Sequence, residues 1–158
     1  MSKNVENISG EKTEGEQIMA EYITGTEFEV SLNMIKVSFS KVTNISARIE
    51  YDSFIEGGKN DCPVYLKKPK TKPDTIIFEK GLHTGITGNI FSMIKEGTRI
   101  KNIMIFVKLN GDTKKILSID EGIVVSKTFS DIDALNNSIL IEKLEIAHSG
   151  LHEMQVVF

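Results

Sequence analysis

Three histidines, one cysteine and a few clustered carboxylates are the residues of this chain with the means to do chemistry. His148 and His152 stand four apart, the spacing of a metal-binding pair on a helix, but no third ligand follows nearby. His83 lies close to Gly81 in a loop pattern with no nucleophile or acidic partner, so it reads as a surface histidine. Asp131 and Asp133, taken with Glu142 and Glu145, suggest paired carboxylates or calcium ligands. The calcium-loop pattern is absent, however, and charges beside a strand usually form a solvated face. Gly81 to Gly88 holds three glycines but lacks the Gly-Lys-Ser/Thr of a phosphate loop and any α/β setting. Cys62 reads as an incidental loop thiol. These residues predict no enzyme, no cofactor and no metal.

The elements that would have to position such groups come from an ordinary globular chain. Of its 158 residues, 40% are hydrophobic and 26% charged, which excludes a disordered or fibrous segment. A chain this long buries roughly 70% of its unfolded surface, so it needs neither disulfide nor metal to hold a core. The single cysteine excludes an internal bridge and suggests synthesis in a reducing cytoplasm. A net charge of -3, with both signs interspersed, gives no polybasic footprint for nucleic acid or anionic lipid. Met1 to Gln17 are polar where an export signal needs an apolar stretch, and no long apolar run predicts a membrane span or anchor.

Residues 1–25 are polar and glycine-spaced and read as a flexible arm; residues 26–158 read as one domain. From Thr26 the pattern has period two. Phe28, Val30 and Leu32, then Ile35, Val37 and Phe39, alternate with polar residues, and Asn33 between them predicts a hairpin. Ala47, Ile49 and Tyr51 predict a third strand, after which Glu56-Gly57-Gly58-Lys59-Asn60 breaks the pattern. Cys62 to Asp74 carries all three prolines and reads as a long exposed loop of the kind used for contacts. Thr75 to Glu79 is a further strand. Ile86, Ile90, Met93 and Ile94 predict a short amphipathic helix, with Thr84 or Thr87 as cap and Gly97 as stop.

Ile100 to Leu109 is almost continuously apolar and predicts a central strand buried on both faces, turned at Asn110-Gly111 into a strand over Thr113 to Ile119. Ile123 to Phe129 predicts another. Ser138 to Ala147 fits a helix through Leu140, Leu144, Ala147 and Leu151, and a strand through Leu140, Glu142, Leu144 and Ile146. The sum is a mainly β fold: an antiparallel β-sandwich or barrel of about eight strands with one short α-helix.

Several stretches, in order, resemble the tail tube family of contractile phages and extracellular contractile injection systems. They are Phe28-Glu29-Val30, Val37 to Ile45, Tyr51 to Asn60 with its Glu56-Gly57-Gly58, Ile76 to Leu82, and Asn137 to Leu151, which is similar to the family's ending "I-E-x-L-E-L-A-H-E-G-L". The likeness spans Phe28 to Met154. Asn44-Ile45 stands where members often have Gly-Leu, Lys80 replaces the usual arginine, and the polar arm is longer than is usual.

This resemblance implies a fold shared with the type VI secretion tube protein, a strand in the last segment, and a structural subunit whose six-membered rings stack into an inner tube. It implies as partners other copies of the chain, a sheath protein, baseplate or tube-initiator and terminator proteins, and cargo in the lumen, DNA or a protein toxin. Rings meeting head to tail propagate without limit unless capped. Contacts between copies are expected at Glu56, Gly57, Gly58, Lys59, Asn60, Tyr65, Lys67, Lys68, Lys70, Glu142, Glu145 and His148. Within the family the alternative is a baseplate ring that starts the tube; outside it, a monomeric β-sandwich binding module, disfavoured as a sugar platform because the loop offers only Tyr65 and the chain has no tryptophan.

Overall fold

A computed structural model describes residues 22–58, 62–83 and 91–156. Most of the polar arm, Lys59, Asn60 and the predicted helix over 84–90 lie outside these described residues; of that helix, Phe91 and Ser92 are helical. The strands are β1 (Glu27–Leu32), β2 (Ile35–Val37), β3 (Lys41–Thr43), β4 (Glu50–Phe54), β5 (Val64–Lys68), β6 (Asp74–Gly81), β7 (Arg99–Leu109), β8 (Asp112–Phe129), β9 (Ile141–His148) and β10 (His152–Gln155). Every pairing is antiparallel.

Eight strands form one sheet in the order β2-β1-β7-β8-β9-β6-β3, with β10 also paired to β8. Strands β2 and β3 lie at opposite ends of that order, yet only Ser38-Phe39-Ser40 join them. A link that short spans at most about 14 Å. The sheet must therefore curl until its two ends meet, and a single barrel-like core results. Phe39 sits in that link, its ring 5.0 Å from Phe78 and 5.4 Å from Phe91. Val30, Leu32 and Val37 from one end and Ile76 and Phe78 from the other share one buried cluster with Ile103, Ile119, Leu144 and Ile146.

The two predicted tight turns form. Asn33 and Met34 take φ of 50 and 66, and Asn110 and Gly111 take 53 and 85, so both central residues of each turn are left-handed and match the strand twist. Asn33 also pins its hairpin to β7: its N–H donates to the Lys101 carbonyl (3.0 Å) and its Oδ1 accepts from the Lys101 N–H (2.7 Å).

Four sequence readings need correction or completion. Ile100 to Leu109 is central but not buried on both faces: Ile100, Ile103 and Ile105 are buried, whereas Lys101, Asn102 and Met104 are exposed. At Asn102, whose φ is 51, the inward face changes phase, and β8 changes with it from Leu117 and Ile119 to Gly122 and Val124. The two strands predicted over 113–129 are one strand. Gly122 pairs with both Ile100 and His148, and a Cβ there would meet Ile146 Cγ2 at 2.4 Å, so this glycine permits close packing rather than a turn.

The ambiguous segment 138–147 contains a strand: β9 lies between β6 and β8 over eight residues. Finally, Cys62 to Asp74 is not an unstructured loop. Its residues 64–68 form β5, which pairs with β4 as a separate two-stranded ribbon, and Pro63 and Pro69 lie just outside the strand ends, where a missing N–H costs nothing.

Candidate functional site

The β4–β5 ribbon leaves the barrel with all of β5, and all of β4 beyond Glu50, exposed. Its side chains are nonetheless apolar and aromatic. Ile49, Tyr51, Phe54, Ile55, Val64, Tyr65 and Leu66 are all more than a third accessible, and Tyr51 meets Tyr65 edge-on at 5.5 Å. Lys68 pairs with Asp52 at 2.6 Å across the strands. An isolated two-stranded hairpin is marginal in water, so this surface is built to be covered.

Of the predicted contact residues, Glu56, Gly57, Gly58, Tyr65, Lys67 and Lys68 lie exposed on the ribbon. Gly58 has φ 98 and so carries the turn out of β4; Gly57 has no left-handed backbone and open space around it. Lys70 stands apart at the ribbon base, its Nζ 2.5 Å from Asp74 Oδ2 and 3.3 Å from the Ser149 carbonyl. Glu142 and His148 are buried in β9 with internal neighbours, and Glu145 is half-buried there.

Asp74 and His148 face each other across β6 and β9. Burial acts to raise the Asp74 carboxyl, but the Lys70 ammonium and the Arg48 N–H overcome it and hold the group below its ordinary value. Burial pushes the His148 ring down, against the upward pull of a hydrogen bond to the Gly150 backbone and of Asp74.

A second polar cluster sits inside the barrel end. Lys127 Nζ lies 2.7 Å from Glu142 Oε1, with both side chains almost wholly buried, and donates to the carbonyls of Ile94 (3.0 Å), Phe91 and Ser92 (both 3.4 Å). It thereby satisfies carbonyls where the chain leaves its helical turn. Lys80 pairs in register with Glu142, and both ammonium groups lie 5.5 Å from the Phe91 ring centroid. Burial lowers the Lys80 pKa while Glu142 opposes it. A cleft of about 290 Å³ opens beside them, lined by Leu82, His83, Phe91 and Phe129. Sequence marks Lys80 only as standing where the family usually has arginine, and does not mark Lys127. The signal for Lys80 was there, because it falls in the inward phase of Ile76 and Phe78, as Glu142 does with Leu144 and Ile146.

The residues first weighed for chemistry do not converge. His148 is buried in a strand, while His152, on the next strand, is exposed and 3.7 Å from Asp120. Asp131 and Asp133 are exposed in a loop, where Asp133 Oδ1 accepts the Leu135 N–H at 2.9 Å. Cys62 is exposed near the ribbon tip. Among the described residues no three His, Cys, Asp or Glu side chains group as metal ligands, and no helix is long and apolar enough to cross a membrane.

The family described as T4-like virus tail tube protein gp19 matches residues 24–152. No curated protein matches the chain by sequence. Among solved structures, the fold is similar to a chain of the extended sheath–tube complex of an extracellular contractile injection system, PVC (20% identity, 92% of this chain and 100% of that one, TM-score 0.70). It is similar, too, to a chain of the anti-feeding prophage baseplate (18%, 89% and 100%, 0.69) and one of that particle's tube-terminating cap (18%, 91% and 99%, 0.69).

Proposed function

The chain belongs to the T4-like virus tail tube protein family, whose members are structural rather than enzymatic, and on that premise we propose that it forms six-membered rings stacked as the inner tube of a contractile particle. The β4–β5 ribbon is the main contact between copies, and the channel of the stacked rings carries DNA or a protein cargo. The observation that carries this reading is the ribbon itself: an aromatic and aliphatic two-stranded element against which, among the described residues, no other strand of the chain is paired and on which the side chains lie exposed.

On this reading Glu56 to Lys68 meet neighbouring copies, while Lys70 at the ribbon base and Glu142, Glu145 and His148 in β9 support the contact from within the subunit. The sheath and baseplate partners are supported by the similar chains found in a sheath–tube complex and in a baseplate. Near-equal likeness to the baseplate chain also favours, as a second reading, a ring that starts the tube. The family assignment sets aside a monomeric binding module.

The sole cysteine supplies the test, because Cys62 is exposed near the ribbon tip. Purified protein with and without a bulky maleimide on Cys62 is examined by negative-stain microscopy and light scattering. Unmodified protein is expected to give rings or tubes and modified protein to stay monomeric. Equal assembly of both would remove the ribbon from the contact, and monomers at every concentration, even with a baseplate extract, would overturn the tube reading.

A further inference from the structure

The ribbon joins the barrel through two legs, residues 44–49 and 69–73, and hydrogen bonds hold each leg to the other. Asp74, at the start of β6, accepts the Arg48 N–H of the first leg at 3.2 Å and the Lys70 ammonium of the second at 2.5 Å. Glu50, at the end of the first leg, accepts the N–H groups of Thr71 (3.0 Å) and Lys72 (3.1 Å) and the Thr71 hydroxyl (2.9 Å). The carboxylates thus grip in opposite directions. Asn44, whose φ is 58, adds a bond from Nδ2 to the Thr75 carbonyl at 2.7 Å. Lys70 reaches beyond the legs to the Ser149 carbonyl, in the break between β9 and β10.

These bonds contrast with the rest of the ribbon. Beyond its base every described ribbon residue is exposed, so packing of these residues against the barrel does not set its direction. An element attached by two chain crossings alone would sweep a wide cone, and each subunit would then lose that freedom on assembly. Short charge-assisted bonds from two carboxylates remove it beforehand.

We propose that Asp74, Glu50 and Lys70 form a lock that fixes the direction of the ribbon in the free subunit, so that rings assemble from a preorganised contact element. All three are positioning residues: none needs to touch the neighbouring copy. The proposal rests on the assembly reading above and adds to it the group that aims the contact.

The test uses the full chain. Spin labels on Cys62 and on a cysteine introduced by Asp120→Cys, an exposed site on β8, report the distance between ribbon tip and barrel in dilute monomer. The wild-type background is expected to give one narrow distribution and the Glu50→Ala and Asp74→Ala backgrounds a distribution at least about twofold broader. Without labels, the same substitutions should raise the protein concentration needed for tubes by about tenfold, the equivalent of about 1.4 kcal/mol of lost preorganisation. The thermal midpoint of Glu50→Ala should fall only slightly, because the lost bonds to Thr71 and Lys72 lie at the ribbon root outside the buried core, so a rise of about tenfold in the tube threshold exceeds what lost monomer stability explains. Because Asp74 is buried and its removal also strains β6, Glu50→Ala alone decides the matter if Asp74→Ala does not fold. Distributions of equal width, or an unchanged tube threshold in Glu50→Ala, would overturn the lock. Absence of tubes from the wild type would sink the assembly reading instead, while the distance distributions still decide whether the ribbon is held.

Discussion

Gly122→Ala probes the most crowded of the described glycines. The added methyl would sit 2.4 Å from Ile146 Cγ2, 3.2 Å from the Ala147 carbonyl and 3.4 Å from Ile103 Cδ1. Contact between carbons needs about 3.5 to 4.0 Å, so Ile146 would have to retreat by more than 1 Å, roughly, within a close-packed core where it is fully buried. Overpacking of this kind costs about 1–3 kcal/mol, and alanine recovers about 0.5–1 kcal/mol of that through its smaller backbone entropy loss in a strand. The middle of those ranges leaves a net loss of about 1 kcal/mol, which for a chain of this length lowers the thermal midpoint by about 2–4 °C. Ile146→Ala removes the clashing methyl but leaves a cavity, with a cost of about 2–5 kcal/mol on its own. The double variant should therefore be more stable than the sum of the two single effects by about 1 kcal/mol or more, measured by urea denaturation as a double-mutant cycle. A neutral Gly122→Ala, or strict additivity with Ile146→Ala, would refute the claim that this glycine exists for close approach.

Lys127→Met takes from the buried Glu142 its partner at 2.7 Å while Lys80 remains beside it, so the loss of stability should stay below the roughly 3–5 kcal/mol of a wholly unpaired buried charge; a loss of that full size in urea denaturation would show that Lys80 does not compensate. Acid should weaken the monomer in two stages. His148 is held below its ordinary value of about 6.5, so between that value and its folded one the unfolded chain binds a proton that the folded chain refuses, and stability falls as pH drops. The slope is at most about 1.4 kcal/mol per pH unit, and His148→Gln should flatten it in denaturation curves from pH 7 to 5. At lower pH the depressed carboxyls of Asp74, Glu29, Glu50 and Glu153 add losses of the same sign. Gly58→Val forces a branched residue into φ 98 and should lower both monomer stability and tube yield, while Gly57→Val, with open space and no left-handed backbone, should leave the monomer's thermal midpoint at the wild-type value and reduce tube yield alone.

The features legible in the sequence are those decided by neighbours in the chain. Asn33 and Asn110-Gly111 mark turns because a left-handed pair suits them locally, and the alternation in β1, β2 and β6 follows from one buried face. Features settled by distant pairing were not legible. Leu140, Leu144, Ala147 and Leu151 carry a helical period, and only the pairing with β6 and β8 on either side makes that segment a strand. Val64-Tyr65-Leu66 is too short an apolar run, between prolines and lysines, to announce β5 without sight of β4 opposite it. Gly122 looks like a breaker because its crowding comes from Ile146 and Ile103, both remote in sequence. At the candidate site, the exposed ribbon residues could be chosen from motif order, whereas Asp74, the group that aims them, has no local signature beyond a charge next to an apolar run.

If the chain forms the proposed tube, the length of β8 has a mechanical consequence. Of its 18 residues, Asp112 to Ile123 run along β7 on one side, while on the other Gly122 to Phe129 run along β9 and Lys115 to Ser118 along β10, with the same register at Gly122↔His148 and Ser118↔His152. A push or pull along β8 loads both rows of backbone bonds in shear, so many must fail together before the strand can slide. The β4–β5 ribbon has one such row and is fastened only at its root, so a transverse tug opens its bonds one after another, as in peeling. Under axial thrust the subunit would therefore give way at its junctions before its barrel, and a tube of such subunits would break by parting between copies and leave each barrel folded.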